Sequence, residues 1–373
     1  MVDHREHNSG DAGLHGVADH ADTTPWSVRV VADPGPPTAA VDRIRDRLDE
    51  RLRDSAGIDS LKVDTETLAL NPDGGLLVPE RLRDPGDEAS VVVVITEFPR
   101  MDGRRGMIAE VDHNRSTVVV SLPALGIVTH RLLPVIVAAV RRVRSPHARS
   151  AVHGARWFPA DRDDLEYLAS GKLLSRTRMV AGMVRGNHPW RLIPTLTGLM
   201  AAAAATASFG VFYSSIWAMA NALSPWRLAG LSLLSMVVMT VWLIVNNRLW
   251  ERKGMLPPAR ARLYNAATAT TVLLNAAVLY IGLFVTTVCA ALAVIDSGFL
   301  AQELSLQSAS FHNYLYLAWL ATSMGTVAGA VGSSADSYSD ILAATYGYRE
   351  RGRRRREEDR EQEIEASRES AGR

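Results

Sequence analysis

Between Leu192 and Asp336 the chain alternates long uncharged runs with short charged loops, while both flanks are densely charged. Leu192–Tyr213 (LIPTLTGLMAAAAATASFGVFY) is the first uncharged run, Leu228–Asn247 the second, Leu263–Ile295 the third and Asn313–Gly332 the fourth. Each reaches the roughly 20 residues a helix needs to cross the hydrocarbon core of a bilayer. The third is long enough to tilt or to extend past the headgroups. The pattern predicts an all-α four-helix transmembrane bundle over residues 192–335, with spans at about 192–213, 228–247, 265–295 and 313–332.

Ahead of the bundle the period changes. Residues 1–25 are polar and without hydrophobic period, which predicts a disordered tail. Trp26–Ala32 (WSVRVVA) reads as a strand and DPGPP as a turn. Thr38–Leu52 reads as one helix, with Val41, Ile44, Leu48 and Leu52 on one face. Leu61–Leu70 alternates as a strand, and Asn71–Ser90 is a Pro- and Gly-rich loop. Val91–Thr96 (VVVVIT) is apolar at successive positions, the signature of a strand buried on both faces. Met107–Val111 and Thr117–Leu122 flank DHNR as a hairpin, and Ile127–Val143 forms a last helix. The order β-α-β-β-β-β-α predicts an α/β (or α+β) domain over residues 26–143, a mixed sheet with helices on one face. Residues 144–191 read as a basic linker and a juxtamembrane amphipathic helix over Asp161–Val184, acidic in its first turn and basic at its end. Residues 336–373 form a charged tail with i,i+4 pairs.

Charge then orients the spans. The totals nearly cancel, 41 Lys+Arg against 40 Asp+Glu, but the basic residues cluster in particular loops. Lys172, Arg176, Arg178, Arg185 and Arg191 precede span 1; Arg248, Arg252, Lys253, Arg260 and Arg262 lie between spans 2 and 3; Arg349, Arg351 and Arg353–Arg356 follow span 4. The opposite loops carry only Arg227 and, over Asp296–His312, no Lys or Arg. Basic loops stay in the cytoplasm, so a multi-pass protein of the bacterial cytoplasmic membrane with both termini cytoplasmic is expected. Trp190, Trp217, Trp226, Trp250 and Tyr264 fall where interface aromatics belong. Residues 1–25 have no apolar core and do not read as a signal peptide. Cys289 is the single cysteine, which excludes an intramolecular disulfide and a C-x-x-C site.

Candidate chemistry is sparse. No phosphate-loop, dinucleotide-binding, zincin or nucleophile-elbow motif occurs, and no cofactor is expected. The spans hold no Asp, Glu, Lys, Arg or His, which argues against ion pathways and ranks a small-molecule transporter third. Small residues recur at four-residue spacing: Gly198, Ala202, Thr206 and Gly210 in span 1; Ala321, Gly325, Gly329 and Ser333 in span 4. Such stripes let helix backbones approach closely, either within one bundle or between two copies through the Gly325/Gly329 stripe. In the α/β domain Glu97, Arg100, Arg104 and Arg105 are candidates for an anion site at a strand's carboxyl end, where open α/β sheets bind ligands. Ser121 and His130 are candidates for a nucleophile and base, although nothing in their spacing orients them. His4, His7, His15 and His20 are spaced irregularly, as incidental histidines of a tail would be. The Arg353–Arg356 cluster suits a membrane surface or a protein partner better than nucleic acid.

SLPALG (Ser121–Gly126), WRLIPTLTG (Trp190–Gly198), FGVFYSSIW (Phe209–Trp217), LSPWR (Leu223–Arg227), LYNAAT (Leu263–Thr268) and LAWLATSMGTVAGAVGS (Leu317–Ser333) resemble a family of uncharacterised actinobacterial membrane proteins. The resemblance covers most of residues 90–350 and implies four spans behind an N-terminal α/β domain. The scarcity of lysine, only Lys62, Lys172 and Lys253, fits a GC-rich genome. Some members carry the label 5,10-methylenetetrahydrofolate dehydrogenase. That activity would imply a lysine four residues after a tyrosine, but Tyr167 and Lys172 are five apart, and the glycine-rich phosphate loop is missing. The sequence therefore favours a membrane-tethered sensing or interaction module over an enzyme acting on an anionic cytoplasmic substrate near Glu97–Arg105.

Overall fold

In a computed structural model of the protein the described residues are 26–68, 82, 90–102, 105–145, 151–160, 164–187, 196–251 and 257–332. The tails expected over 1–25 and 336–373, most of the 71–90 loop, Arg104, Trp190 and Ser333 lie outside them.

The N-terminal part is a mixed sheet with helices. Strand β1 (Trp26–Ala32) leads through α1 (Pro36–Asp42) and α2 (Arg45–Ala56) to β2 (Ile58–Thr65). Then follow β3 (Ser90–Thr96), the two-residue β4 (Met101–Asp102), β5 (Arg105–Asp112), β6 (Thr117–Ser121), α3 (Leu132–Arg144), β7 (Ala155–Pro159), β8 (Leu165–Ser170) and α4 (Lys172–Gly186). The sheet order is β2-β1-β3-β6-β5-β8-β7, with β4 beside β5. β2, β1, β3 and β6 run parallel to one another, while β6 with β5, β5 with β8 and β8 with β7 pair antiparallel.

The buried strand over Val91–Thr96 is β3, and all seven of its residues are buried. Val91, Val93 and Ile95 join Val28, Val30, Leu48, Leu52, Ile136 and Val140 in the main core. Val92 and Val94 form a second, smaller core with Val31, Val119, Leu68 and Leu82. Two covered faces explain why the strand is apolar at every step. The helix predicted over Thr38–Leu52 is two helices. α1 begins at Pro36–Pro37, whose fixed φ suits a first turn, after Gly35 at φ 97. The chain bends again at Arg43–Ile44, and α2 ends on Gly57 in the left-handed region.

The linker expected over 144–160 and the helix expected from Asp161 are corrected: Ala155–Pro159 and Leu165–Ser170 are strands, and the helix begins only at Lys172. β5 carries buried Ile108, Ala109 and Val111 and would otherwise end the sheet with unpaired amides and carbonyls. β8 pairs that edge, burying Tyr167, Leu168 and Ala169. The α/β domain therefore continues well past residue 143.

The C-terminal part is helical: α5 (Thr197–Phe212), α6 (Ser214–Ala222), α7 (Pro225–Asn246), α8 (Pro258–Val294), α9 (Ser297–Glu303) and α10 (Phe311–Gly332). α7, α8 and α10 are each long and apolar enough to cross a membrane. α5 and α6 meet at an angle of 87°, so the run expected as span 1 ends at this bend, at Tyr213, and the chain continues as α6. α5 alone has 16 residues, about 24 Å of rise, short of the roughly 30 Å hydrocarbon core. The bend leaves helical carbonyls without partners, and the Trp217 indole N–H donates to one of them, Gly210 O, at 3.0 Å. Trp217 and Tyr264, expected at the interface, are packed inside the protein, whereas Trp226 and Trp250 are exposed.

The span-4 stripe packs on α5, but chiefly on its Leu199, Ala203 and Ala207 face; of the stripe expected in span 1, Gly210 meets Ala321, while Gly198 and Ala202 lie only beside Gly332. A Cβ on Gly210 would stand 2.1 Å from Ala321 Cβ, one on Gly325 2.6 Å from Ala203 O, and one on Gly329 3.0 Å from Leu199 O. Near the last turn of α10, a Cβ on Gly332 would meet Ala202 Cβ at 2.4 Å and Gly198 O at 2.9 Å. The stripe thus makes the α5–α10 seam within one chain, and a second copy reaches Gly325 or Gly329 only by displacing α5. Polar side chains staple the other helices: Tyr280 Oη lies 2.8 Å from Ser232 Oγ and 2.9 Å from Ser323 Oγ, joining α7, α8 and α10.

Candidate functional site

The carboxyl ends of the parallel strands hold several of the residues singled out in the sequence, and Arg100 and Ser121 are engaged structurally there. Asp33, just past β1, is buried; its Oδ2 accepts from Thr96 Oγ1 at 2.7 Å and from the Glu97 N–H at 3.1 Å. This ties β1 to β3. Ser121 is fully buried and donates to Phe98 O at 2.8 Å, so its proton is committed to a carbonyl. Arg100 pairs with Glu110 at 2.7 Å. His130 is exposed and lines a separate groove of about 540 Å³ between α2 and α3, with Arg47, Glu50, Arg51 and Asp54. Glu97, Arg100, Ser121 and His130 are not brought together.

A second cleft, of about 500 Å³, opens between the starts of β5 and β7 and the end of β8. Arg105, Gly154, Ala155, Arg156, Phe158, Ala169, Ser170 and Gly171 line it. Arg105 is among the arginines that the sequence offers for an anion site; the other lining residues belong to the stretch where the sequence predicts a linker and a helix. The Arg105 guanidinium lies 4.0 Å from the Phe158 ring centroid, and Phe158 stacks on Tyr167 at 5.6 Å. Tyr167 donates to Asp102 Oδ2 at 2.5 Å. That hydrogen bond first, then burial and the Asp102 charge, push the Tyr167 phenol up, and Arg105 opposes them only in part. An aromatic pair anchored by a carboxylate thus supports one guanidinium at the cleft wall.

At the opposite end of β5 the Glu166 carboxylate takes a two-point hydrogen bond from Arg142, at 2.7 and 3.1 Å, with His113 Nε2 3.7 Å away. Burial alone would raise the Glu166 carboxyl, but the hydrogen bond and charge of Arg142, helped by His113, hold it below the ordinary carboxylate value.

Helix α4 connects the sheet to the apolar helices. Ser175 Oγ accepts from the Gly106 N–H at 2.5 Å. Gly182 presses so closely on the turn after β6 that a Cβ there would be 2.1 Å from Pro123 O. Arg178 folds over Gly126 and donates to Leu125 O at 3.1 Å; burial, then the charge of Arg131, holds it below the ordinary guanidinium value. On its other side α4 meets the foot of α8: Met179 and Met183 share one hydrophobic cluster with Leu263, Tyr264, Ala267 and the sheet core. Asn187 Nδ2 donates to Thr271 Oγ1 at 2.9 Å.

No protein-family model matches the chain, and no curated protein or solved structure is significantly similar to it.

Proposed function

We propose that the chain is a multi-pass protein of the bacterial cytoplasmic membrane, akin to the actinobacterial family it resembles, whose α/β domain senses a cytoplasmic signal or partner and relays it to the bundle. One observation carries this reading: the core of the sheet runs without interruption through Met179 and Met183 into Leu263, Tyr264 and Ala267 of α8. A domain held only by a linker shares no core with its anchor and moves independently of it. Here a shift at the sheet edge reaches a helix of 37 residues that continues through the bundle. The bent α5–α6 pair supplies the fourth crossing in this reading, which returns both termini to the cytoplasm. Arg248, Arg260 and Arg262 near the joint, against a lysine- and arginine-free Asp296–His312 at the far end of α8, support that orientation. Ser232, Tyr280 and Ser323 face one another, as staples do, rather than a transport path.

Two measurements test it. Green fluorescent protein fused at either terminus should fluoresce, and alkaline phosphatase inserted after Leu306 should be active; an active phosphatase at the N-terminus overturns the orientation. The detergent-purified chain should melt in one transition that Tyr264→Asp splits in two. A wild-type chain that already melts in two steps has no rigid joint, and the relay fails.

A further inference from the structure

Among the described residues, Arg105 and Arg156 line the same cleft, and neither forms an ion pair with a carboxylate. By contrast, Arg100 pairs with Glu110 and Arg178 bonds Leu125 O. The nearest acid to Arg105 along β4 and β5 is Asp102, its cross-strand partner, and that carboxylate accepts the Tyr167 hydroxyl. The Arg105 guanidinium has one face on the Phe158 ring, which holds it flat at the cleft wall with an edge beside the Tyr167 hydroxyl. Arg156 is exposed on β7, free to close over whatever enters. The volume, about 500 Å³, lies within the range of small-molecule sites and exceeds what a bare inorganic ion needs.

We infer that this cleft binds a phosphorylated small molecule, its phosphate held between the Arg105 and Arg156 guanidiniums. Two guanidiniums suit a dianion with three free oxygens, because each can give two parallel N–H donors to one phosphate. Gly171 forms part of the same wall and precedes α4, whose first amides add donors on that side. The phosphate has two sources, a soluble metabolite or a lipid headgroup. The cleft lies at the end of α4 away from the Asn187–Thr271 contact with α8. This assignment deepens the sensing reading, since it names what the α/β domain would sense.

The test uses the full chain in phosphatidylcholine nanodiscs and pyrophosphate as the probe, followed by titration calorimetry. Wild type should bind saturably. Arg156→Gln and Arg105→Gln should each weaken binding about tenfold, and melting temperature in Arg156→Gln should stay unchanged. Repeating the titration in nanodiscs containing phosphatidylinositol phosphate separates the sources: competition assigns the site to a headgroup, and its absence to a soluble ligand, both with the phosphate chemistry intact. Wild type and Arg156→Gln binding alike would overturn the site, as would no pyrophosphate binding. Loss of the site would leave a single melting transition, and with it the relay, standing. A two-step melt beside intact pyrophosphate binding would sink the relay alone.

Discussion

The two halves of the sheet are built differently. The parallel half, β2-β1-β3-β6, is valine-rich, covered on both faces at β3 and β6, and closed at its carboxyl ends by Asp33, Thr96 and Ser121 bonding to one another's strands. The antiparallel half, β5-β8-β7, carries arginines and aromatic rings, is partly exposed along β7, and holds the cleft. Polar groups in the first half are engaged in holding strands together; in the second, two cations stand at an open wall. The open cleft thus sits at the antiparallel edge of the sheet, beside the parallel strands whose carboxyl ends α/β folds usually use for ligands.

The largest test of this contrast is Val93→Asp. Val93 is fully buried in the central strand, and an unpaired carboxylate there should cost more than about 4 kcal/mol, enough to prevent folding. Phe158→Ala in the antiparallel half should leave a folded chain that has lost the support under Arg105. Comparable expression and circular dichroism for the two variants would erase the distinction.

Next in size is Gly182→Ala. Its Cβ would strike the Pro123 carbonyl, a backbone atom that cannot swing aside, so about 2–3 kcal/mol is expected. The loss should appear as loosening of α4 from the turn after β6, read by hydrogen exchange at Leu125–Ile127. Protection equal to wild type there would mean that α4 is not seated as described.

The two halves also differ in how far the sequence discloses them. β3 is visible because both its faces are covered and the run VVVVIT has no polar step. The β5–β6 hairpin is visible because DHNR is a turn between two apolar strands, closed by Asp112 Oδ1 accepting the Arg115 N–H at 2.8 Å. β7 and β8 are not visible, since they are short and their meaning lies in pairing with β5, far earlier in the chain. DRDD ahead of β8 resembles an acidic helix start, and nothing local contradicts that. The cleft was hidden for the same reason. Arg105 is a plain candidate in the sequence, but Phe158, Tyr167 and Arg156 become its neighbours only once β8 pairs with β5. In the bundle, the small-residue stripes disclose close packing and not the partner, because geometry alone decides whether α5 or a second chain covers Gly325.

A smaller effect is expected at Glu166, which joins α3 to the antiparallel half. Its carboxyl sits below the ordinary carboxylate value, so the stability it contributes is fully present above that value. That stability is lost as pH falls through the lowered folded value. Glu166→Gln should therefore lose about 2 kcal/mol at neutral pH, and the difference from wild type should shrink as both are acidified below pH 4.5. Denaturant midpoints across that window measure it; a gap that stays constant with pH would show that the pair contributes no charge-dependent stability.

The smallest expected change in stability separates the two halves most sharply. Arg29 in β1 pairs with Asp64 at 2.7 Å and also bonds Leu82 O at 3.3 Å, so Arg29→Gln should cost about 0.5–1 kcal/mol. Arg156 in β7 is exposed and has no carboxylate partner among the described residues, so Arg156→Gln should stay within about 0.5 kcal/mol of wild type. Removing a cation from a wall shared with Arg105 should even relieve some like-charge repulsion in the absence of ligand. Thermal melts of the two variants beside wild type make the comparison. An Arg156→Gln chain as destabilised as Arg29→Gln would assign Arg156 to the architecture and remove the physical reason for its standing at the cleft unpaired.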